Sequence, residues 1–283
     1  MSVTLTSPPS AGTVATLREL ALVDAKRFAR HPLFIFGVVA NFALIYAAAA
    51  VDRAPSPVSI AISPSFFLGI FGLVVAHRLT TSLRRTHELV DSMPSSPRRR
   101  TAALCLACMV PFLAGVASVV AILVLVAAYP PEQPDPDALM TWFGDYPAVD
   151  VLAALFALGA VAALGGPLLG VLIARWAPFR GSALLAVVGI FLVCEAGSHW
   201  PMPWRVVLPW SALGDDHVVD GVTVSSNFVA GASEAWFAVY ALLMCGLAAV
   251  GALLRDPVGR RPLLWTGAAL AVAAAGAFAL TVT

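Results

Sequence analysis

Seven apolar runs, each near the length needed to cross a lipid bilayer as a helix, constrain the fold of this chain more than any other feature. A hydrocarbon core of about 30 Å takes roughly 17–25 helical residues. The runs are rich in Ala, Leu and Val without strict alternation, which favours helices over the strands of a membrane barrel. We therefore expect an all-α, polytopic helical membrane protein with six to seven transmembrane helices. The runs are 33–51, 58–76, 102–128, 151–176, 182–197, 235–254 and 262–282.

The composition excludes the other broad classes of protein. Hydrophobic residues make up 60% of the chain and charged residues only 12%, whereas soluble domains carry about 25% charged residues. So few polar side chains cannot cover the surface of a soluble globule, and a disordered chain has the opposite bias. The net charge of +1 also argues against nucleic acid as the main partner, because binding phosphates needs a basic surface.

The number of spans depends on the fifth and seventh runs. The fifth is short and ends in Glu195, Ala196, Gly197 and Ser198, so it can stop below the membrane surface. The seventh is dominated by Ala and Gly. We expect residues 1–32 to form a cytoplasmic segment and 33–283 a transmembrane domain. External loops are predicted at about 129–150 and 198–234.

The basic residues predict the orientation in the cell membrane. Fifteen of the 17 lysines and arginines fall before the first run or in alternate loops, and only Arg53 and Arg205 fall on the other side. By the positive-inside rule, the N-terminus is cytoplasmic. Seven spans would place the C-terminus outside, and six would place it inside. A long polar segment precedes the first run, so we expect no cleaved signal peptide.

Residues 13–31 are predicted to form an amphipathic helix that ends at Pro32. Its apolar residues recur at helical spacing and form one stripe, which Asp24 interrupts, while the basic residues point away. Such a helix is expected to lie at the membrane interface against lipid. The alternative is an ordinary extension of the first span. The residues that define the interfacial helix are Leu17, Leu20, Phe28 and Arg30.

The segment 81–100, between the second and third runs, is predicted to form an elbow. Pro94 interrupts the helix that continues from the second run, and an apolar tip lies beside acidic residues. Exposed apolar tips of this kind favour docking on another protein. The alternative is a loop whose positive charge only fixes topology. The expected docking residues are Glu88, Leu89, Asp91 and Met93, and Arg98, Arg99 and Arg100 are expected to anchor the elbow at lipid headgroups.

Three features together resemble the permease subunit of a type-2 ABC exporter. They are the N-terminal helix ending in Arg30-His31-Pro32, the loop 88–100, and a long external segment with Pro and aromatic residues between the fifth and sixth runs. The resemblance covers residues 13 to about 254, and the seventh run departs from the usual six spans. It implies a coupling helix at about 87–97 that docks on an ATPase, and an external re-entrant hairpin at about 199–213.

The resemblance also implies the partners. The chain would pair with a second permease subunit, identical or not, and with a separate ABC ATPase subunit that binds ATP and Mg. No cofactor is expected on this chain. A P-loop needs a lysine after glycine to hold phosphates, but the only lysine, Lys26, follows Ala25. Energy from ATP would therefore have to come from the partner, and the chain itself is not expected to be an enzyme.

Other motifs carry little chemistry. Cys105 and Cys108 have metal-ligand spacing, but no His or second Cys pair completes a site, so no metal is predicted. Residues 215–217, Asp-Asp-His, are interpreted as a solvated turn. The spacing Gly166–x–x–x–Gly170 permits close helix packing without identifying a partner helix. No motif of an intramembrane enzyme is present.

The main alternative function is an ion-coupled secondary carrier that needs no ATPase. Such carriers use polar or ionisable groups near the middle of the membrane. The apolar runs contain few: Asn41 in the first and Glu195 near the outer end of the fifth. We therefore expect an ATP-driven exporter, whose apolar walls suit a hydrophobic or amphiphilic substrate such as a drug or a lipid.

Overall fold

The protein is a bundle of membrane-length helices. The computed structural model describes residues 11–51, 57–85, 96–129, 148–198, 215–219, 222–226, 233–257 and 259–282. An N-terminal helix, Ala11–Ala29, precedes seven spans. The spans are, in order, Pro32–Val51, 57–85, Pro97–Ala128, Ala148–Trp176, Ser182–Ser198, Glu234–Leu253 and Arg260–Thr281.

The predicted apolar runs coincide with these helices, which confirms a polytopic helical membrane protein. Six of the helices in the described residues are long and apolar enough to cross a bilayer. The seventh span is one of them, with 22 residues. The fifth span is shorter, at 17 residues. The count of six or seven therefore depends on what the fifth span does.

The fifth span runs the length of the second in the opposite direction. At its start, the Ser182 hydroxyl lies 2.7 Å from Nε2 of His77. Nine residues further on, the ring of Phe191 lies 5.9 Å from that of Phe66, eleven residues back along the second span. At 1.5 Å per residue, 17 residues extend about 25 Å. The fifth span therefore carries the chain from one end of the bundle towards the other.

The sixth span runs parallel to the fourth, which fixes the number of passes. Near the end of both, Arg175 pairs with Asp256, whereas Ala157 and Phe237 share a core cluster near their other ends. The seventh span returns alongside the sixth, and the Ser233 amide donates to the Thr281 carbonyl. The described chain thus passes between the two ends seven times. We call the end that holds Arg175 and Asp256 the basic end.

Residues 215–219 and 222–226 form an antiparallel two-stranded hairpin in an otherwise helical chain, whose fold class is all-α as the sequence predicts. Asp215 pairs with Ser226 and Val219 with Val222. The prediction of a solvated turn at 215–217 is therefore wrong, because these residues belong to strand Asp215–Val219. Valine and threonine, which favour strands, are present in these segments: Val218, Val219, Val222, Thr223 and Val224. The predicted re-entrant hairpin at 199–213 lies outside the described residues.

Backbone contact between the second and fourth spans holds the centre of the bundle. A Cβ on Gly166 would lie 2.6 Å from the carbonyl carbon of Gly69, and one on Gly170 would lie 3.0 Å from Cα of Leu73. No side chain larger than hydrogen fits at either contact without separating the helices. Small residues allow this close approach in membranes, where dispersion contacts drive helix association.

The same two spans contain π-helical turns, Ser65–Ile70 and Phe156–Val161. A π-turn interrupts the regular hydrogen-bond ladder and leaves backbone groups that need another partner. The Ser65 hydroxyl donates to the carbonyl of Leu158 and so satisfies one of them. The two irregular turns are therefore held against each other.

Candidate functional site

The N-terminal helix packs its apolar stripe against the beginning of the third span. Phe28 is 1% exposed, and its ring meets that of Phe34 edge-on at 5.0 Å. Leu17 and Leu20 are half-buried, and Arg30 is exposed in the turn after the helix. The predicted helix is confirmed, and its stripe faces protein. Its position relative to lipid stays a prediction.

Asp24 interrupts the stripe and is buried with it. Only 8% of the residue is exposed, and Oδ1 lies 3.8 Å from Nη1 of Arg27. Burial raises the pKa of the Asp24 carboxyl, and the positive charge of Arg27 opposes that rise. Keeping the Asp24 carboxylate charged therefore costs free energy at the contact between the N-terminal helix and the bundle.

The predicted docking residues of the elbow, Glu88, Leu89, Asp91 and Met93, lie outside the described residues. The helices on either side of them end at Arg85 and begin at Pro97, on the same end of the bundle as the N-terminal helix. Ser96 caps the third span, because its hydroxyl accepts from the Arg99 amide at 3.4 Å and Pro97 occupies the first helical position.

The three arginines that follow the elbow do not behave alike. Nη1 of Arg98 donates to the Gly259 carbonyl at 3.4 Å and so links the third span to the start of the seventh. Arg99 is exposed, and Arg100 is half-buried. Anchoring at lipid headgroups stays a prediction for all three, but Arg98 has a structural contact as well.

A buried ion pair joins the fourth and sixth spans at the basic end. Nη2 of Arg175 donates to Oδ1 of Asp256 at 2.8 Å, and the side chains are 14% and 16% exposed. Beside them, the Trp176 indole donates to the Gly251 carbonyl at 2.9 Å, and the Arg255 guanidinium lies 5.5 Å from its ring centroid. The sequence pattern does not point to this cluster, because the positive-inside rule weighs Lys and Arg and gives no weight to the one acid in this loop, Asp256.

A neutral polar cluster joins the first three spans inside the bundle. Nδ2 of Asn41 donates to the Ser118 hydroxyl at 2.8 Å, and the Ser63 hydroxyl donates to Oδ1 of Asn41, also at 2.8 Å. All three residues are buried. The Ser118 hydroxyl in turn donates to the Ala114 carbonyl. The Asn41 side chain is therefore hydrogen-bonded at both ends and carries no charge.

Two cavities flank the fifth span. One, of about 710 Å³, has an almost wholly apolar wall formed by the second, fourth, fifth and sixth spans, including Leu73, Ile190 and Phe237. We call it the apolar cavity. The other, of about 760 Å³, lies between the second and fifth spans at the basic end and is lined by His77, Arg78 and Arg180 among others. We call it the basic-end cavity.

The fifth span itself is loosely held. Leu184 and Leu192 are 67% and 66% exposed. At the start of the span, the Ser182 hydroxyl bonds to His77 of the second span. Gly181, at the preceding turn, has a φ of +92°, which is a conformation that glycine adopts without strain.

The described residues hold no group of three or more His, Cys, Asp or Glu side chains that could bind a metal. Cys105 and Cys108 lie in the third span, and Cys108 Sγ donates to the Leu104 carbonyl at 3.3 Å. Glu195, the acidic residue of the fifth span, is exposed near its end.

Comparisons with known proteins give no relative. No protein family matches the chain, and neither does any curated protein or any solved structure.

Proposed function

We propose that this protein is the permease subunit of an ATP-driven ABC exporter. A separate ATPase subunit would bind ATP and Mg and act on the elbow, and two permease subunits would form the pathway. The substrate would be hydrophobic or amphiphilic and would move outward by alternating access. The observation that carries this proposal is the packing of the N-terminal helix against the third span, at the end of the bundle from which the elbow leaves.

That packing offers a mechanical connection. The elbow leads directly into the third span at Ser96 and Pro97, and the N-terminal helix packs against the first part of that span, Pro97–Ala107. A force applied to the elbow would therefore reach both helices together. The second and fourth spans, locked through Gly166 and Gly170, would move as one unit.

The apolar cavity supports the substrate class. Its wall is almost entirely hydrophobic, and the loosely held fifth span forms one side. Displacing a helix with few contacts costs less than separating the packed second and fourth spans, so the fifth span is the element best suited to open the cavity.

The neutral centre of the bundle favours an ATP-driven pump over an ion-coupled carrier. Carriers that couple to protons place titratable groups in the substrate pathway near the middle of the membrane. The polar cluster at Asn41, Ser63 and Ser118 holds no titratable group and is internally hydrogen-bonded. The titratable His77 lies at the basic end and bonds to Ser182.

The test of this proposal is whether ATPase activity copurifies with the protein. The tagged protein, purified in mild detergent from the membranes of the cells that make it, should bring with it an ATPase subunit and its activity. Met93→Asp places a charge at the apolar tip of the elbow and should remove that activity. Met93→Leu is the matched control and should retain it.

Transport measured in reconstituted vesicles can contradict this proposal. If the chain alone, reconstituted without any ATPase, moves substrate in response to an ion gradient, the proposal is wrong and the carrier is correct. Transport that continues with ATP after an uncoupler has collapsed the gradient supports the exporter.

A further inference from the structure

The basic-end cavity joins two unlike surfaces. Its rim holds the guanidinium groups of Arg78 and Arg180, both exposed, together with the Thr81 side chain. Its depth is apolar, with Ile70 and Val74 on the second span. The fifth span supplies the facing wall. Its lining residues there are Ala183, Leu184 and Val187.

The dimensions suit a chain lying along the helix axis. From Ile70 to Arg78 the second span rises about 12 Å, at 1.5 Å per residue. Leu184 lines the cavity and is also 67% exposed, so the cavity reaches the lipid-facing surface of the bundle. A molecule could therefore enter sideways from the surrounding leaflet.

The positive charge at the rim has no carboxylate partner among the described residues. In the part of the chain that the structure describes, neither Arg78 nor Arg180 has a carboxylate within ion-pair distance, whereas Arg175 and Arg27 each have one. The charge of Arg78 also acts on its surroundings. It adds to burial in lowering the pKa of His31, which lies just before the first span.

We propose that the basic-end cavity binds an anionic phospholipid from the leaflet at the basic end. The phosphate of the headgroup would lie between Arg78 and Arg180, and an acyl chain would lie along Ile70, Val74 and Val187. Arginine suits phosphate because its planar fork donates two parallel hydrogen bonds. Basic pockets between membrane helices bind anionic headgroups in this way. The inference does not depend on the transport proposal, since lipid binding needs no ATPase.

Photo-crosslinking tests the site directly. The full-length protein is placed in phosphatidylcholine nanodiscs with a sub-saturating amount of phosphatidylglycerol that carries a diazirine in its acyl chain. After irradiation, mass spectrometry maps the adducts. We expect them on residues 70–74 and 183–187, and we expect unlabelled phosphatidylglycerol, but not added phosphatidylcholine, to compete.

Charge variants then separate specific binding from general lipid contact. Arg78→Gln and Arg180→Gln should each lower adduct yield about five-fold, the equivalent of about 1 kcal/mol per arginine, and the double variant about 25-fold. Arg261→Gln, an exposed arginine at the same end of the bundle, should leave the yield unchanged. Val187→Trp keeps the charges but fills the apolar part, and should also abolish the adducts while the melting temperature shows a folded protein.

Three results would overturn the proposal. The first is an unchanged yield in the double variant, and the second is an equal density of adducts on outward-facing residues such as Leu192 and Val272. The third is competition by glycerol phosphate or inorganic phosphate as effective as that by the lipid, which would identify a site for a free phosphate.

Discussion

The glycine contacts between the second and fourth spans allow a quantitative test of the packing. The perturbation is the smallest available, Gly166→Ala or Gly170→Ala, which adds one methyl group at each contact. A Cβ at Gly166 would lie 2.6 Å from the Gly69 carbonyl carbon, where ordinary contact begins near 3.4 Å. The helices must therefore separate by at least about 0.8 Å, because the Gly69 carbonyl oxygen lies closer still and the atoms in the way belong to backbone, which cannot rotate aside.

Such a separation weakens contacts along the whole interface. A gap of about 0.5–1 Å forfeits a quarter to a half of each dispersion contact, and inserting a methyl group into a well-packed core costs about 1–3 kcal/mol. The substitution also gains up to about 1 kcal/mol, because alanine is a better helix former than glycine. The control variant Gly276→Ala measures this gain in helix propensity alone, since a Cβ at Gly276 would meet no atom within 4 Å.

The assay is reversible unfolding in mixed micelles of increasing SDS content, followed by circular dichroism. Relative to Gly276→Ala, we expect Gly166→Ala and Gly170→Ala each to lower the free energy of unfolding by about 1–3 kcal/mol. If both are as stable as Gly276→Ala, the backbones do not approach as closely as described, and the account of this interface is wrong.

Two further predictions concern the basic end. Asp256→Asn should lower the free energy of unfolding by about 2–3 kcal/mol, somewhat less than for a fully buried ion pair because both partners are slightly exposed. The double variant Arg175→Met with Asp256→Leu should recover most of the lost stability. Equal stability of Asp256→Asn and wild type would contradict a structural role for the pair. The folded-state pKa of His31 lies below its ordinary value of 6.5. As pH falls, the imidazole in the unfolded state therefore binds a proton before the imidazole in the folded state does. The contribution of His31 to stability is complete above pH 6.5 and should be lost as pH falls through the folded-state pKa. Melting temperatures between pH 8 and pH 5 should show this slope, and His31→Gln should make it shallower; an unchanged slope in the variant would assign it to other groups.

Much of the fold could be predicted from the sequence because the bilayer imposes one simple rule on it. A span must be apolar for the thickness of the membrane, so most bounds of the predicted runs fall within three residues of the observed helices. The exceptions face the elbow, where the second helix continues to Arg85 and the third begins at Pro97. The seventh span, Arg260–Thr281, was found in this way in spite of its Ala and Gly content. Such a rule says nothing about which helices touch.

The contacts were harder to predict because each depends on a choice among similar residues. Gly166 and Gly170 were recognised as a packing motif, but many small residues in other runs could have faced them. Only the folded chain assigns Gly69 and Leu73 as their neighbours. In the same way, Asn41 was recognised as an unusual polar residue, whereas its partners are common serines.

The hairpin was missed although the sequence carries a signal for it. Asp220 and Gly221 stand between two short segments that contain valine, 215–219 and 222–226, and Asp-Gly between such segments is typical of a two-residue hairpin. Attention to charge in this loop favoured a solvated turn. The elbow stays at the level of prediction, since residues 86–95 lie outside the described part of the chain.

The odd number of passes has a practical consequence for work on this protein. The first span begins at the basic end, where Arg78 acts on His31, and the seventh span ends at the other end, where the Ser233 amide donates to the Thr281 carbonyl. We therefore expect a fluorescent reporter or affinity tag joined at one terminus to sample a different compartment from one joined at the other. The two attachment points are not interchangeable handles, and labelling both in intact cells would read out the sidedness of the protein directly.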